Sequence, residues 1–184
     1  GPLARSIKDL ELALKVMSRE NYDDPWWTPL PFSLPMPEKK IALLKKIEGL
    51  KIDPIILAEL DIVAKRLEDS GWVIEEPKAP NFKEAAKFQA TLWLGEFRRT
   101  GGEAITNEND PDSNFIYSQM SRRCPDTSLE KFMDSLQQRA RISREWNKFF
   151  DQYPIILCPI TGDVPFPDLK DLESEESFDL VFDS

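Results

Sequence analysis

The chain has 184 residues, of which 41% are hydrophobic, and it carries a formal net charge of −9 with no histidine. This length and composition predict one folded domain with a sizeable core. The acidic balance argues against a nucleic-acid partner, because nucleic-acid binding depends on lysine and arginine. The absence of histidine excludes Ser-His-Asp and Cys-His catalysis and removes the commonest zinc ligand.

The first predicted helix begins after Ser6, and Asp9 completes a capping-box pattern. An apolar stripe follows at helical spacing and needs a covering element; it consists of Ile7, Leu10, Leu14 and Met17. The proline-rich stretch NYDDPWWTPLPFSLPMPEKK then predicts an extended connection. Trp26 and Trp27 are expected to anchor this connection to the core, and the alternative is that they form a ligand wall.

Residues 40–76 predict a strand, a helix and a second strand. KIALLKK and WVIEE are the strand candidates, and the helix between them has Asp53 as its cap, Pro54 at its first position and Gly71 after its end. The predicted buried face of this helix consists of Ile56, Leu60, Val63 and Leu67. Because a parallel pair with a right-handed crossover is the natural solution for such a unit, the predicted fold class is α/β.

Three further helices and one strand are predicted between residues 81 and 159. The first helix runs from Asn81 to the Gly101-Gly102 break, and a short second helix lies within PDSNFIYSQMSRR. The third is capped by Thr127 with Glu130 and spans on the order of 35 Å. Its expected buried residues are Leu129, Phe132, Leu136 and Trp146. PIILCP then predicts a fully buried strand, since its apolar residues do not alternate with polar ones.

From Asp168 onward the sequence is acidic, with scattered apolar residues and no strong periodicity. We therefore expect a domain over residues 1–167, followed by a mostly mobile acidic tail over residues 168–184. The alternative for the tail is a docking peptide, in which Phe178, Leu180 and Phe182 contact a partner.

Two kinds of site fit the sequence poorly. Asp110 opens a pattern that resembles the start of a calcium loop, but Phe115 and Ser121 occupy the positions that need glycine and glutamate, so a capping cluster is the better interpretation. The arginines of QQRARISREW lie on different sides of a helix and are expected on a solvated face; they are Arg139, Arg141 and Arg144. The sequence also lacks a glycine-rich phosphate loop, and we predict no metal and no cofactor.

The only cysteines, Cys124 and Cys158, are too far apart in sequence for a CxxC metal or redox motif. Two isolated and inert thiols suit a reducing compartment. The sequence has no signal-peptide pattern and no apolar run near the roughly 18 residues that span a bilayer. We therefore predict a cytoplasmic protein without membrane contact.

Four stretches in order resemble the amidase signature family, whose members cleave amide C–N bonds. They are GPLARSIKDLELAL, DPWWTPLP, the strand-helix-strand unit from KIALLKK to GWVIEE, and QQRARISREWNKFFDQYPIILCPITGDVPFP. The resemblance covers roughly residues 1–167. It implies a helix-rich, partial amidase-signature α/β fold, in which a few-stranded sheet is covered by helices. An alternative origin for Gly1-Pro2 alone is a remnant of protease cleavage from a fusion.

In this family the glycine-proline segment follows the catalytic core, so the resemblance implies the later part of an amidase domain, whether truncated, split or trimmed. Family members use a serine nucleophile, a second serine in a cis peptide bond and a lysine, all within glycine- and serine-rich sequence. That sequence is absent from this chain, so no catalytic residue is assigned. The chain is expected to be inactive alone, and the alternative is a non-enzymatic protein-interaction module derived from an amidase.

The loop after the last predicted strand is the expected substrate-binding segment. Ligands bind beyond the carboxyl ends of parallel strands, and Pro159 ends the strand at that edge. Ile160, Thr161 and Gly162 would form a wall of the amide pocket, on the same side as the carboxyl end of KIALLKK; the alternative is an ordinary loop. The expected partners are a missing amidase half or a second copy, because a small sheet leaves unpaired edges. An amide substrate would bind only together with the missing half.

Overall fold

The computed structural model describes residues 1–29 and 38–184, and the chain divides into two compact units, 1–37 and 38–184. The first unit contains helix α1 (Ile7–Met17). The second contains, in chain order, β1 (Lys40–Leu43), α2 (Pro54–Asp69), β2 (Val73–Glu75), α3 (Phe82–Thr100), α4 (Gly102–Glu108), α5 (Pro111–Arg123), α6 (Leu129–Gln152), β3 (Ile155–Leu157), a 3₁₀ helix (Lys170–Leu172) and α7 (Glu175–Asp183). Within these described ranges, every helix is too short or too polar to cross a membrane.

In the first unit, α1 begins at the predicted residue, because the Asp9 N–H donates to Ser6 Oγ at 3.2 Å. The predicted apolar stripe lies largely in solvent, and Ile7 is 80% exposed. Trp27 is half-buried and its indole N–H donates to the Ser18 carbonyl at 3.2 Å, so it attaches the connection to the end of α1. Trp26 is 87% exposed, so its predicted anchoring to the core is wrong, and the anchoring of Trp27 to the core stays a prediction. The rest of the predicted proline-rich connection, residues 30–37, lies outside the described residues.

The sheet of the second unit has the order β2-β1-β3, and both strand pairs are parallel. Lys40 pairs with Val73 on one side of β1, and Leu43 pairs with Leu157 on the other. The helix between β1 and β2 is capped by Asp53, whose carboxylate accepts the Ile55 N–H at 2.7 Å. The predicted strand-helix-strand unit with a parallel pair is therefore confirmed.

Helices cover both faces of this sheet. On one face Ala42 and Leu44 pack with Phe149 of α6, and Phe82 of α3 lies against them. On the other face Leu43 packs with buried residues of α2. The α/β fold class, with a small sheet covered by helices, is confirmed. The strand β1 pairs with both β2 and β3 and is the central strand, and its residues Ile41, Ala42 and Leu43 are almost completely buried.

Two buried helix faces differ from the predicted ones. In α2 the buried positions are Leu60 and Ala64, whereas Val63 is exposed. The i, i+4 spacing of Leu60 and Ala64 turns the buried stripe away from Val63. A small residue at position 64 also allows the helix to approach the sheet closely.

In α6 the cap is one residue later than predicted, because the Lys131 N–H donates to Ser128 Oγ at 3.3 Å. Leu129 is 77% exposed, so its predicted burial is wrong. Phe132, Leu136 and Trp146 are only half-buried. The buried positions recur every seven residues along the helix; they are Ser135, Ile142 and Phe149. Leu129 lies in the first turn, before this buried seam begins.

The predicted short helix over PDSNFIYSQMSRR is present as α5. Asp110 caps it by accepting the Ser113 N–H at 2.7 Å, and this hydrogen bond lowers the pKa of the Asp110 carboxyl. The capping interpretation is therefore confirmed over the calcium-loop pattern. Helix α4 is not predicted from the sequence; it is short, and its C-cap residue Asn109 has the left-handed conformation with φ 57°.

Residues 168–184 contain a helix where an irregular, mostly mobile tail is expected. Ser174 caps α7 by accepting the Ser177 N–H at 3.1 Å, and Phe178 is buried. On α5, Arg122 and Arg123 both hydrogen-bond to Asp179, at 2.6 and 2.7 Å. These ion pairs explain why the segment is helical and not mobile. Its acidic residues pair with arginines of α5, whereas the prediction assumed that they are solvated.

Protonation of Asp179 is expected to loosen α7. Hydrogen bonds from Arg123 and then Arg122 lower the pKa of the Asp179 carboxyl. This carboxylate therefore contributes stability above about pH 4, the ordinary pKa of aspartate, and the contribution is lost as the pH falls through the lowered pKa. The difference in free energy of unfolding between the wild type and Asp179→Asn should be largest at neutral pH and vanish in acid, as measured by urea denaturation at a series of pH values.

Asp171→Asn is the matched control for this prediction, since the Asp171 side chain forms no ion pair or hydrogen bond within residues 1–29 and 38–184. Asp171→Asn should leave the free energy of unfolding at neutral pH close to that of the wild type. A pH-independent effect of Asp179→Asn would show that the ion pairs of Asp179 do not stabilise α7.

Candidate functional site

The candidate site lies at the carboxyl edge of the sheet, where the loops after β1 and β3 meet. The Leu44 N–H donates to the Leu157 carbonyl oxygen at 2.9 Å, so the segments that follow β1 and β3 leave the sheet side by side. Farther along, the Asp53 N–H donates to the Gly162 carbonyl oxygen at 2.8 Å. The loop after β3 is thus fixed against the segment that begins α2.

Gly162 is buried where three segments of the second unit meet: the loop after β3, the residues just before α2, and the residue after α7. We call this contact the Gly162 joint. The N–H of Gly162 donates to the Ser184 carbonyl oxygen at 2.5 Å, while its carbonyl accepts from Asp53. A Cβ atom at this position would lie 2.4 Å from the Lys51 carbonyl oxygen and 2.8 Å from Leu50 Cδ1. Only glycine therefore allows the three segments to approach this closely.

The other two predicted site residues point away from this joint. Ile160 is fully exposed, and Thr161 is exposed with its hydroxyl donating to the Asp163 carbonyl oxygen at 2.8 Å. Neither residue lines the concavity beside Gly162 that is described next. Of the three predicted residues, Gly162 alone is enclosed by the edge, and its contacts are structural.

A concavity of about 460 Å³ lies beside the Gly162 joint, within the loop after β1 and the first turns of α2. Its lining residues are Lys45, Lys46, Ile47, Glu48, Leu50, Ile52 and Leu57. Leu50 belongs both to this concavity and to the surroundings of Gly162. These residues are not predicted from the sequence, although a charged run directly follows the buried strand KIALL.

Lys45, which lines this concavity, forms ion pairs with two carboxylates. Its Nζ lies 2.7 Å from Glu76 Oε1, after β2, and 3.0 Å from Asp61 Oδ1, on α2. Hydrogen bonds to Glu76 first and then Asp61 raise the pKa of the Lys45 ammonium group. Lys45 therefore remains protonated and joins three segments, which suits a structural role and does not suit a general base.

A second polar group lies on the α6 side of the sheet. The Tyr153 hydroxyl donates to Glu75 at 2.7 Å, and Lys40 Nζ lies 3.0 Å from the same carboxylate. The Tyr153 hydrogen bond is the largest cause that lowers the pKa of Glu75, and the same bond raises the pKa of Tyr153. Both shifts keep the groups in their ordinary protonation states, so this arrangement pins β2 to the end of α6.

The remaining candidate groups are structural as well. Burial raises the pKa of the Cys158 thiol, which makes its thiolate form rare. Within residues 1–29 and 38–184, no group of histidine, cysteine and acidic side chains has the arrangement of a metal site. Among the arginines predicted on a solvated face, Arg139 and Arg144 are exposed, but Arg141 is half-buried and bridges Glu84 of α3 and Glu145 of α6.

Comparison with known proteins identifies the family. The Amidase family model matches residues 1–182, nearly the whole chain. The chain belongs to the amidase family. Two relatives are indoleacetamide hydrolases, from Bradyrhizobium diazoefficiens (31% identical over 163 residues) and Bradyrhizobium japonicum (32% identical over 166 residues). Each match covers 88% of this chain, and the chain spans about a third of the length of these relatives.

Proposed function

We propose that this amidase-family chain is a scaffold portion of an enzyme that hydrolyses carbon–nitrogen bonds of amides, and that it is inactive alone. The observation that supports this proposal is the family match over residues 1–182, combined with a carboxyl edge whose described groups are structural. Lys45 is held by two carboxylates, and the Cys158 thiol has a raised pKa. The nucleophile and its activating lysine are then supplied by amidase sequence outside these residues.

Two serine hydroxyls of the described residues also fit a scaffold. Ser135 on α6 donates to the Lys131 carbonyl oxygen at 2.9 Å, and Ser70 donates to the Arg66 carbonyl oxygen at 2.9 Å. A serine nucleophile needs a base that takes its proton, and the backbone carbonyls that these two hydroxyls contact do not provide one.

The substrate wall remains part of this proposal. The loop of Ile160, Thr161 and Gly162 lies at the carboxyl edge of the sheet, beside a concavity of about 460 Å³. We propose that Gly162 fixes the loop, and that the exposed Ile160 and Thr161 contact an amide substrate once the rest of the amidase domain covers this edge. The partner is accordingly the remaining amidase half. The two free cysteines fit a cytoplasmic location.

A non-enzymatic interaction module is the second candidate function. The exposed apolar stripe of α1 favours it, because Ile7 and Met17 offer a contact surface without any chemistry. The two candidates differ in one respect: a scaffold becomes part of an amide-hydrolysing enzyme when it is joined to amidase sequence, whereas a module derived from an amidase does not.

The purified 184-residue chain is expected to release no ammonia from indole-3-acetamide or from simple aliphatic amides above a protein-free control. The physical reason is the absence of an activated nucleophile among its described groups. Ammonia release should be followed over hours at several protein concentrations. Turnover that a single serine-to-alanine substitution abolishes would contradict the proposal.

A hybrid enzyme provides the positive arm of this test. In the Bradyrhizobium japonicum indoleacetamide hydrolase, the matched segment is replaced by the corresponding segment of this chain. We expect the hybrid to hydrolyse indole-3-acetamide above the background of the isolated chain. A soluble, folded hybrid without turnover would refute the scaffold function and favour the interaction module.

A further inference from the structure

Helix α7 is joined to the proposed substrate loop by one backbone hydrogen bond. The Gly162 N–H donates at 2.5 Å to the carbonyl oxygen of Ser184, the residue that follows α7. On the other side of the loop, the Gly162 carbonyl oxygen accepts the Asp53 N–H at 2.8 Å. The loop after β3 is therefore held between α7 and the start of α2, and its position depends on both.

Two arginines of α5 contact α7 along its whole length. Arg123 donates to Asp179 Oδ1 at 2.7 Å and also pairs with Asp183. Arg122 donates to Asp179 Oδ1 at 2.6 Å and lies 3.3 Å from Glu175 Oε1. The three carboxylates are four residues apart and share one face of the helix. Because Glu175 and Asp183 are the first and last residues of α7, the arginines fix both of its ends.

Arg123 holds the end of α7 that reaches the loop. Its side chain is 23% exposed, and its guanidinium carbon lies 4.6 Å from the centre of the Phe182 ring. Its partner Asp183 directly precedes Ser184, whose carbonyl oxygen accepts the Gly162 N–H. Ion pairs that are partly buried are screened much less than exposed ones. Loss of Arg123 is therefore expected to release the end of α7 that bonds to Gly162.

Helix α7 depends on these contacts for its position. It has only nine residues, and a helix of this length is unstable in water without tertiary contacts. Arg123 Nε is buried and has no hydrogen-bond partner within residues 1–29 and 38–184. A buried donor without a partner offsets part of the stability that the ion pairs supply. A single substitution among these pairs is therefore sufficient to loosen α7.

We propose that Arg123 is a positioning residue for the substrate loop and acts through α7 and the Ser184 carbonyl oxygen on Gly162. This inference rests on the proposed function for the role of the loop, and it adds a remote group that fixes the loop. Arg123 sets the orientation in which Ile160 and Thr161 meet an amide substrate.

Amide hydrogen exchange in the isolated chain tests the connection without any enzyme activity. In Arg123→Gln the Gly162 N–H is expected to exchange at least about tenfold faster, because its acceptor moves away with α7. Asp179→Asn leaves Arg123 in place and should also accelerate this N–H; it decides the question if Arg123→Gln does not fold. Arg141→Gln is the matched control, since Arg141 also pairs with two carboxylates but joins α3 to α6. It should leave exchange at Gly162 unchanged.

The Leu44 N–H distinguishes local release from a general loss of stability. It donates to the Leu157 carbonyl oxygen at the same edge of the sheet. In Arg123→Gln it should keep its wild-type exchange rate, because the sheet stays closed when α7 loosens. Equal acceleration at Leu44 and Gly162 would show that Arg123 supports only the overall stability of the chain, and the proposal would be wrong.

The hybrid with the Bradyrhizobium japonicum indoleacetamide hydrolase, here carrying all 184 residues of this chain, gives the functional readout. Arg123→Gln is expected to raise KM for indole-3-acetamide by at least about fivefold and to keep kcat within about twofold, because the loop contacts substrate while the catalytic groups lie outside this chain. Arg141→Gln should leave both constants close to those of the unsubstituted hybrid.

The outcomes separate this inference from the proposed function. Selective acceleration at Gly162 beside a hybrid that never hydrolyses the amide supports the connection and counts against the proposed function. Unchanged exchange at Gly162 in Arg123→Gln and Asp179→Asn overturns the inference even if the hybrid is active. In an active hybrid, an unchanged KM despite faster exchange at Gly162, or a fall in kcat alone, overturns the positioning role of Arg123.

Discussion

Replacement of Phe178 by alanine is expected to lower the free energy of unfolding by about 3–5 kcal/mol, the range for removing a buried phenylalanine side chain. Phe178 is 3% exposed and is the buried residue of α7. Its loss leaves a cavity and also removes the apolar contact that holds an acidic helix in place. Urea denaturation followed by tryptophan fluorescence and by circular dichroism measures the effect.

Phe182→Ala is the matched control, since Phe182 is on the same helix but is 46% exposed. Its ring stacks on Phe178 with centroids 5.5 Å apart and lies below Arg123, 4.6 Å from the guanidinium carbon. The expected loss is well below that of Phe178→Ala, because the ring leaves less surface and no closed cavity. Equal losses, or a loss below about 1 kcal/mol for Phe178→Ala, would contradict the assignment of Phe178 to the core.

Replacement of Gly162 by alanine is expected to lower the free energy of unfolding by about 1–3 kcal/mol, the usual cost of overpacking. The added methyl group would lie 2.4 Å from the Lys51 carbonyl oxygen, and a backbone atom cannot move aside as a side chain can. The loop after β3 must then separate from the start of α2. The hydrogen-exchange rate of the Asp53 N–H, which donates to Gly162, should rise in the variant.

Gly95→Ala is the matched control for this substitution. Its Cβ would lie 3.0 Å from the ring of Phe132, which is a side chain and can shift. Alanine is also favoured over glycine in a helix interior by about 1 kcal/mol, and Gly95 lies inside α3. The variant should be neutral or more stable than the wild type, with unchanged exchange at Asp53. Equal destabilisation by both substitutions would show that Gly162 is not a special joint.

Sequence predicts the elements of this fold best where the signal is local. Asp53 and Asn81 lie directly before their helices, and each side chain accepts a backbone N–H from the first turn at 2.7 and 3.0 Å. The strand-helix-strand unit is predictable because its turn residues, its apolar runs and the handedness of its crossover all lie within about 40 residues.

The features that sequence does not predict depend on distant neighbours. Residue 162 must be glycine because Leu50 and Lys51 lie against it, and they do so only after β1 and β3 have paired. Likewise, α7 forms in an acidic segment because Arg122 and Arg123 face it from α5. Periodicity identifies a helix but fixes its buried face only to within a residue, and Val63 and Leu129 fall just outside the surfaces that are buried.

The candidate site was predictable only in outline. The rule that loops meet beyond the carboxyl ends of parallel strands places Gly162 at the correct edge. The same rule does not distinguish an enclosed residue from an exposed one, and Ile160 and Thr161 are exposed. The concavity beside them depends on how the loop after β1 folds back, and charge and chain length alone do not specify that path.

The central position of β1 also has a consequence during synthesis. Its partner β2 follows after about 30 residues, but β3 pairs with it only about 110 residues later. At the usual 5–20 residues per second, roughly 5–20 s pass between the emergence of β1 from the ribosome and that of β3. Until β3 has emerged, the central and most buried strand of the sheet has at least one unpaired edge, so nascent chains that end before β3 are the species most in need of chaperones.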